Sequence, residues 1–223
     1  MKAVASMLFT FLCLNSFAQS WQWAKLEQST QGEFVRMCTD PSGNVIMACV
    51  LNGTAVVGSV TITSAVQKHG IIKYDENGNF IWVNLYPNAP SNPISVTDVA
   101  CDQWGNVFMT GAFKGAFVIG TNTLISQPGA YNVFLVKYDP QGNVLWVRKG
   151  GGNYMDISNA ACTDALGNCY ITGYTASSAF SFGNNTFTHN PVIVNEGNSQ
   201  FFVVKYDANG NVVWIKTNQV GTL

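Results

Sequence analysis

Charge is scarce in this chain: Asp, Glu, Lys and Arg make up 10% of it, against roughly 25% in an ordinary soluble domain. The 11 basic and 12 acidic residues leave a formal net charge of −1 and form no basic stripe. That argues against nucleic acid as a partner, since phosphate contacts need clustered Lys and Arg. No run of like charges marks a solvated tail. Solubility falls to neutral Asn, Thr, Ser and Gln, a surface common in secreted proteins. Histidine is almost absent. His69 and His189 stand at non-equivalent positions, and neither lies near a Cys-x-x-Cys pair. A metal site needs clustered ligands, so none is expected, and no cofactor is implied. Beyond the N-terminus no segment carries a helical period.

The longest apolar stretch, Ala3 to Leu14, is too short for a spanning helix, which needs about 20 residues. It follows Met1-Lys2 and precedes the small-x-small triplet Ser16-Phe17-Ala18. This is the pattern of an export signal cut before Gln19. Residues 1–18 are therefore expected to be a signal peptide, which places the mature protein outside the cell or on its surface. The alternative is a buried N-terminal strand or helix. Leu12 before Cys13 argues against a lipid anchor at that cysteine.

Loss of Cys13 reduces six cysteines to five, enough for at most two bridges. Cys162 and Cys169 flank a tight turn and are expected to be diagonal rather than opposite. Cys38 and Cys101 precede equivalent turns, two and one residues before Asp40 and Asp102. Most of these thiols are read as small buried apolar groups.

Against these absences stands one sentence written three times. Lys73-Tyr74-Asp75-Glu76-Asn77-Gly78-Asn79-Phe80-Ile81-Trp82 returns at 137–146 and again at 205–214. Its turns are Asp75, Gly78, Asn79; Asp139, Gly142, Asn143; and Asp207, Gly210, Asn211. A second set lies upstream: Asp40, Gly43, Asn44; Asp102, Gly105, Asn106; and Asp164, Gly167, Asn168. All six read Asp-x-x-Gly-Asn. The Asp accepts from amides of its own turn, and the Gly takes the left-handed conformation that closes it. Apolar, β-branched and aromatic residues flank each turn, so the turns connect β-hairpins. A calcium loop needs carboxylates at alternate positions and a closing Glu, which these turns lack, so a structural role is preferred.

Two hairpins per repeat make a four-stranded antiparallel sheet, near 96–101, 106–111, 132–138 and 143–148 in the middle repeat. Segments 117–124 and 180–187, with a weaker match at 55–62, read as a small accessory hairpin between strands two and three. Such sheets at a period near 62 residues predict an all-β fold of β-propeller blades, because a lone sheet cannot bury both faces. The divisions expected are 19–32 as an orphan outer strand built on Trp21 and Trp23, then blades at 33–86, 87–150 and 151–223. Three blades make an incomplete ring, since propellers have about 4–8. Either the chain is a fragment of a longer protein or several chains assemble. The fragment is preferred, because assembly leaves one surplus outer strand per chain.

The ordered pattern Asp-x-x-Gly-Asn-x-Tyr/Phe-x-Thr-Gly, Phe-x-x-Gly, then Phe-x-Val-Lys-Tyr-Asp-x-x-Gly-Asn-x-x-Trp resembles the SBBP β-propeller repeat of secreted bacterial proteins. Gly150-Gly151-Gly152 after Trp146 fits its blade-to-blade link. The resemblance covers roughly residues 20–218. The first repeat departs most, with Cys49 where Gly111 and Gly173 stand and Gly70 where Phe134 stands. The resemblance implies an exported propeller, often part of a long multi-domain protein, and no shared catalytic residues.

The expected function is that of a non-catalytic binding or scaffold module. Its partners would be an unidentified protein or glycan and further blades of the same longer chain. The variable segments 52–69, 112–131 and 174–199, with links 86–95 and 149–158, gather at the end opposite the Asp turns and form the candidate surface. Trp104 at a turn tip could stack on a sugar, but is read as incidental. The alternatives are a carbohydrate-active enzyme (a lyase or glycosidase) and a pure spacer. Hydrolysis would need two singular carboxylates at a set distance. The singular acids Glu27, Glu33, Asp98, Asp156 and Glu196 show no linking pattern.

Overall fold

The computed structural model describes residues 28–188 and 200–217, and these are all β-strand and turn. β1 (Gln28–Thr39), β2 (Val45–Val57), β3 (Val60–Tyr74) and β4 (Phe80–Pro87) form one antiparallel sheet in chain order. β5 (Ile94–Cys101), β6 (Val107–Lys114), β9 (Tyr131–Tyr138) and β10 (Val144–Gly152) form the second. β11 (Asp156–Thr163), β12 (Cys169–Thr175), β15 (Gln200–Tyr206) and β16 (Val212–Thr217) form the third. These sheets are the expected propeller blades.

The blades stack face to face. The chain's alternation sends successive side chains to opposite faces. Along β6, Val107, Met109 and Phe113 pack with Phe134, Val136 and Tyr138 against Ile46, Ala48 and Ile71 of the first blade. The residue between them, Phe108, turns the other way. With Val133 and Leu135 it packs against Ile171, Phe202 and Val204 of the third blade. Phe108 and Phe134 are wholly buried, and each contributes about 2–3 kcal/mol through that burial. Neither face of β6 or β9 is wet, which is why these two strands read as nearly continuous apolar runs.

β1, β5 and β11 are the innermost strands and lie side by side. Each carries a register irregularity at the same place, around residues 35, 97 and 159. A bulge bends a strand and increases its local twist.

The accessory hairpins differ from one repeat to the next. β7 (Ala116–Ile119) and β8 (Asn122–Ile125) form a two-stranded sheet of their own. β13 (Ala179–Phe182) and β14 (Asn185–Thr188) instead extend the second blade, with Gly150, Gly151 and Gly152 of β10 paired to Phe182, Ser181 and Phe180. Gly150 is needed there, because a Cβ would stand 1.9 Å from the Phe182 ring. In the first repeat there is no separate hairpin. β2 and β3 run on through that segment and close at Val57 and Val60.

Candidate functional site

All six Asp-x-x-Gly-Asn turns share one geometry. The Asp amide donates to the Asn carbonyl, and the Gly amide donates to the Asp carbonyl. At Asp40, Oδ1 accepts from the Ser42 and Asn44 amides at 3.0 Å, and Oδ2 accepts from Asn44 Nδ2 at 2.8 Å. Asp75, Asp102, Asp139, Asp164 and Asp207 repeat the arrangement. The glycines sit at φ between 72° and 87°, a region closed to most side chains. The carboxylate oxygens are thus turned onto their own backbone.

Three of these carboxylates also meet a lysine from β3, β9 or β15. Lys73 Nζ lies 2.8 Å from Asp40, Lys137 Nζ 3.4 Å from Asp102, and Lys205 Nζ 3.6 Å from Asp164. The first two pairs are buried and the third is partly exposed. Burial pushes the Asp40 carboxyl up, but hydrogen bonds from Lys73 and Asn44 outweigh it and hold it below the usual carboxylate range. At Asp164 the hydrogen bond from Asn168, with another from Tyr170, holds the carboxyl far below that range.

The lysine and the tryptophan of each motif then reach across to the next blade. Lys73 Nζ and Trp82 Nε1 both donate to the Pro140 carbonyl, at 3.3 and 3.0 Å. Lys137 Nζ and Trp146 Nε1 do the same to the Ala208 carbonyl, at 3.3 and 3.1 Å. Asn84 Nδ2 donates to the Gly142 carbonyl at 2.8 Å, and Arg148 Nε to the Gly210 carbonyl at 2.6 Å. Each indole lies over the glycine of that neighbouring turn. The motif therefore contains both halves of a clamp, the turn that is held and the Lys and Trp that hold the next.

The inner strands are stitched separately. Thr97 Oγ1 donates to the Ser158 carbonyl at 2.7 Å, the Ala161 amide to Asp98 Oδ2 at 2.8 Å, and Thr163 Oγ1 to the Cys101 carbonyl at 2.6 Å. Asp98 is thereby a seam residue. Asp156 is wholly buried and collects the Gly152 amide at 2.6 Å, the Ser177 hydroxyl at 2.9 Å and the Thr175 hydroxyl, which ties two loops together. Asp98 and Asp156 thus serve separate structural contacts. The side chains of Glu27, Glu33 and Glu196 lie outside the described residues, as do Trp21, Trp23, His189 and the expected signal at 1–18. His69 is buried, with Nε2 3.1 Å from Gln67 Oε1 and 3.1 Å from Asn88 Nδ2.

Two open clefts accompany these contacts. One, of about 280 Å³, lies at the turn end between Asp40, Lys73, Trp104 and Pro140. The other, of about 460 Å³, lies along the inner strands between Arg36, Thr97, His69 and Asn159. Trp104 is 55% exposed, yet it packs on the next blade: a Cβ on Gly167 would stand 2.5 Å from its ring. The expectation that most cysteines are buried holds for Cys49 and Cys169. Cys162 is exposed, and Cys38 and Cys101 are half-buried. Cys162 and Cys169 are diagonal, each facing the other's neighbour, Tyr170 and Thr163.

Face-to-face stacking follows from the repeat itself, but the Lys and Trp hydrogen bonds to the next turn do not follow from a hairpin alone. The one signal for them was the tryptophan that closes every copy, which a hairpin does not require.

No family model matches the chain. A curated relative, "Uncharacterized WD repeat-containing protein L264" of Acanthamoeba polyphaga mimivirus, is 27% identical over 189 residues, which covers 79% of this chain and 14% of the relative. WD repeats build four-stranded propeller blades, so this distant similarity agrees with the stacked sheets: the chain is an all-β repeat protein of propeller type that spans 14% of the length of the relative it matches.

Proposed function

We propose that this chain is a non-catalytic propeller module of the SBBP type found in secreted bacterial proteins. It is exported through residues 1–18 and acts at the cell surface or beyond it, binding a protein or glycan. Support comes from how the side chains are used. The repeated polar residues are engaged within their own turn or across a seam, so the residues that vary between repeats are left to meet a ligand. Val118 and Ile125 on the accessory hairpin and Tyr154 on the blade-to-blade link are such residues, 57%, 64% and 54% exposed, and the tip of that hairpin at Gly120 folds back beside Val144. Exposed apolar groups on variable loops are the usual material of a binding surface.

Further blades are the second proposed partner. On the third sheet, Lys205 and Trp214 repeat the Lys and Trp that clamp the following turn in the first two. Trp214 is 36% exposed, and among the described residues no turn lies over it. This face matches another Asp-x-x-Gly-Asn turn.

The test is a loop variant, Val118→Ser with Ile125→Ser and Tyr154→Ala, compared with the unaltered chain on glycan arrays and on whole cells. Lost retention with an unchanged β-sheet spectrum supports binding. Retention that is absent from both proteins, or identical in both, points to a spacer. Sequencing the N-terminus of exported protein checks the cut before Gln19.

A further inference from the structure

The seam between the first two blades holds a pair of thiols. Cys38 near the end of β1 and Cys101 at the end of β5 approach to 2.7 Å between sulfurs, about 0.7 Å longer than an S–S bond. They belong to different sheets, so no backbone ladder brings them together. The side-by-side packing of the two inner strands does. Both are half-buried, which leaves a path for a small reagent. The next seam is built otherwise. There the residue matching Cys38 is Ala100 and the one matching Cys101 is Thr163, whose hydroxyl donates to the Cys101 carbonyl. The cysteines thus replace a polar contact at one seam only.

We infer that Cys38 and Cys101 are a disulfide site that locks the first blade to the second. The reaction is thiol–disulfide exchange with a small-molecule disulfide. One cysteine, as its thiolate, attacks a sulfur of that disulfide and expels one thiol. The second cysteine then attacks the mixed disulfide, forms the Cys38–Cys101 bond and expels the other. Two cysteine thiols are oxidised, one external disulfide is reduced to two thiols, and the protons end on those thiols. Cys101 is held protonated by its hydrogen bond with Cys38 and by burial, so exchange quickens as pH rises. Among the described residues the remaining thiols offer no rival, since Cys49 and Cys169 are buried and Cys162 and Cys169 face other residues. The inference stands apart from the proposed function and holds whether or not the chain is exported.

The experiment oxidises the folded full chain with oxidised glutathione at pH 8. It then alkylates the chain in denaturant and maps its peptides without reductant. The expected product is a monomeric chain with a peptide linking Cys38 to Cys101 and two fewer alkylated cysteines than the reduced control. Cys162→Ser keeps that link, and Cys38→Ser and Cys101→Ser lose it. Reductant is expected to lower Tm by roughly 5–10 °C in the unaltered chain and in Cys162→Ser, but not in Cys38→Ser. Alkylation of both Cys38 and Cys101 after oxidation of the folded chain would overturn the inference. So would bridges formed between other cysteines or between chains.

Discussion

The indole of Trp82 lies across Gly142 of the following blade, so closely that a Cβ on that glycine would stand 2.9 Å from it. Gly142 also sits at φ 87°, and its carbonyl accepts from Asn84. Two demands therefore meet in one glycine, a left-handed turn and a flat surface for the neighbour's ring. Trp146 and Gly210 repeat the relationship at the next seam.

Gly142→Ala is expected to destabilise the protein by about 3 kcal/mol, combining strain at positive φ with displacement of the indole. Gly129→Ala is the control. It shares a positive φ, 83°, but nothing lies within 4 Å of its Cβ position. It should cost only about 1 kcal/mol. Urea unfolding of both variants checks the difference, and equal losses would remove the seam from the account.

Trp82→Phe keeps an apolar ring and deletes the donor to the Pro140 carbonyl. The expected loss is about 1 kcal/mol, the net worth of one hydrogen bond. Trp82→Ala should lose about 3 kcal/mol. Trp214→Ala, on the exposed face of the third sheet, should lose clearly less. Chemical denaturation of the three variants tests this order.

Lys73→Met leaves the buried Asp40 carboxylate without its cation, and also deletes the donor to the Pro140 carbonyl. A loss of about 3–5 kcal/mol is expected, as for other buried pairs broken on one side. Lys205→Met, at the longer and more exposed pair with Asp164, should be much milder. A similar loss in both would mean that the burial of the first pair is irrelevant.

Acid should unfold the protein. Burial pushes the Asp40, Asp139 and Asp207 carboxyls up, but hydrogen bonds to each outweigh it, so all three end below their ordinary value. A depressed native pKa stabilises the fold above the unfolded value near 3.9, and that stability is lost as pH falls through the native value. Thermal melts should be flat with respect to these groups from pH 7 to about 5 and should decline below about pH 4. Asp40→Asn keeps the turn's shape but not its charge, so its melts should depend less on pH.

Hairpins, their turns and their approximate bounds were legible because each depends on neighbours in sequence. Asp102, Gly105 and Asn106 satisfy one another within five residues, and the alternation along Val107-Phe108-Met109 announces a strand whatever packs on it. The seams were not legible in the same way. Thr97 and Ser158 meet only because two bulged inner strands lie side by side, and their spacing in the chain carries no sign of it. Asp156 looked like a stray acid and is a buried hub for two loops. The accessory segments look alike in sequence yet pair differently: β13 adds to the edge of β10, whereas β7 and β8 pair only with each other.

The chain by itself determined that this protein is built of repeated β-hairpins with Asp-capped turns, because those rules act over a few residues. Only the tertiary structure decided that the Lys and Trp of one copy grip the turn of the next, that Cys38 meets Cys101, and that Trp214 has no turn above it among the described residues. Such contacts join residues about 60 positions apart, and face-to-face stacking of sheets, rather than any local preference, sets which of them touch.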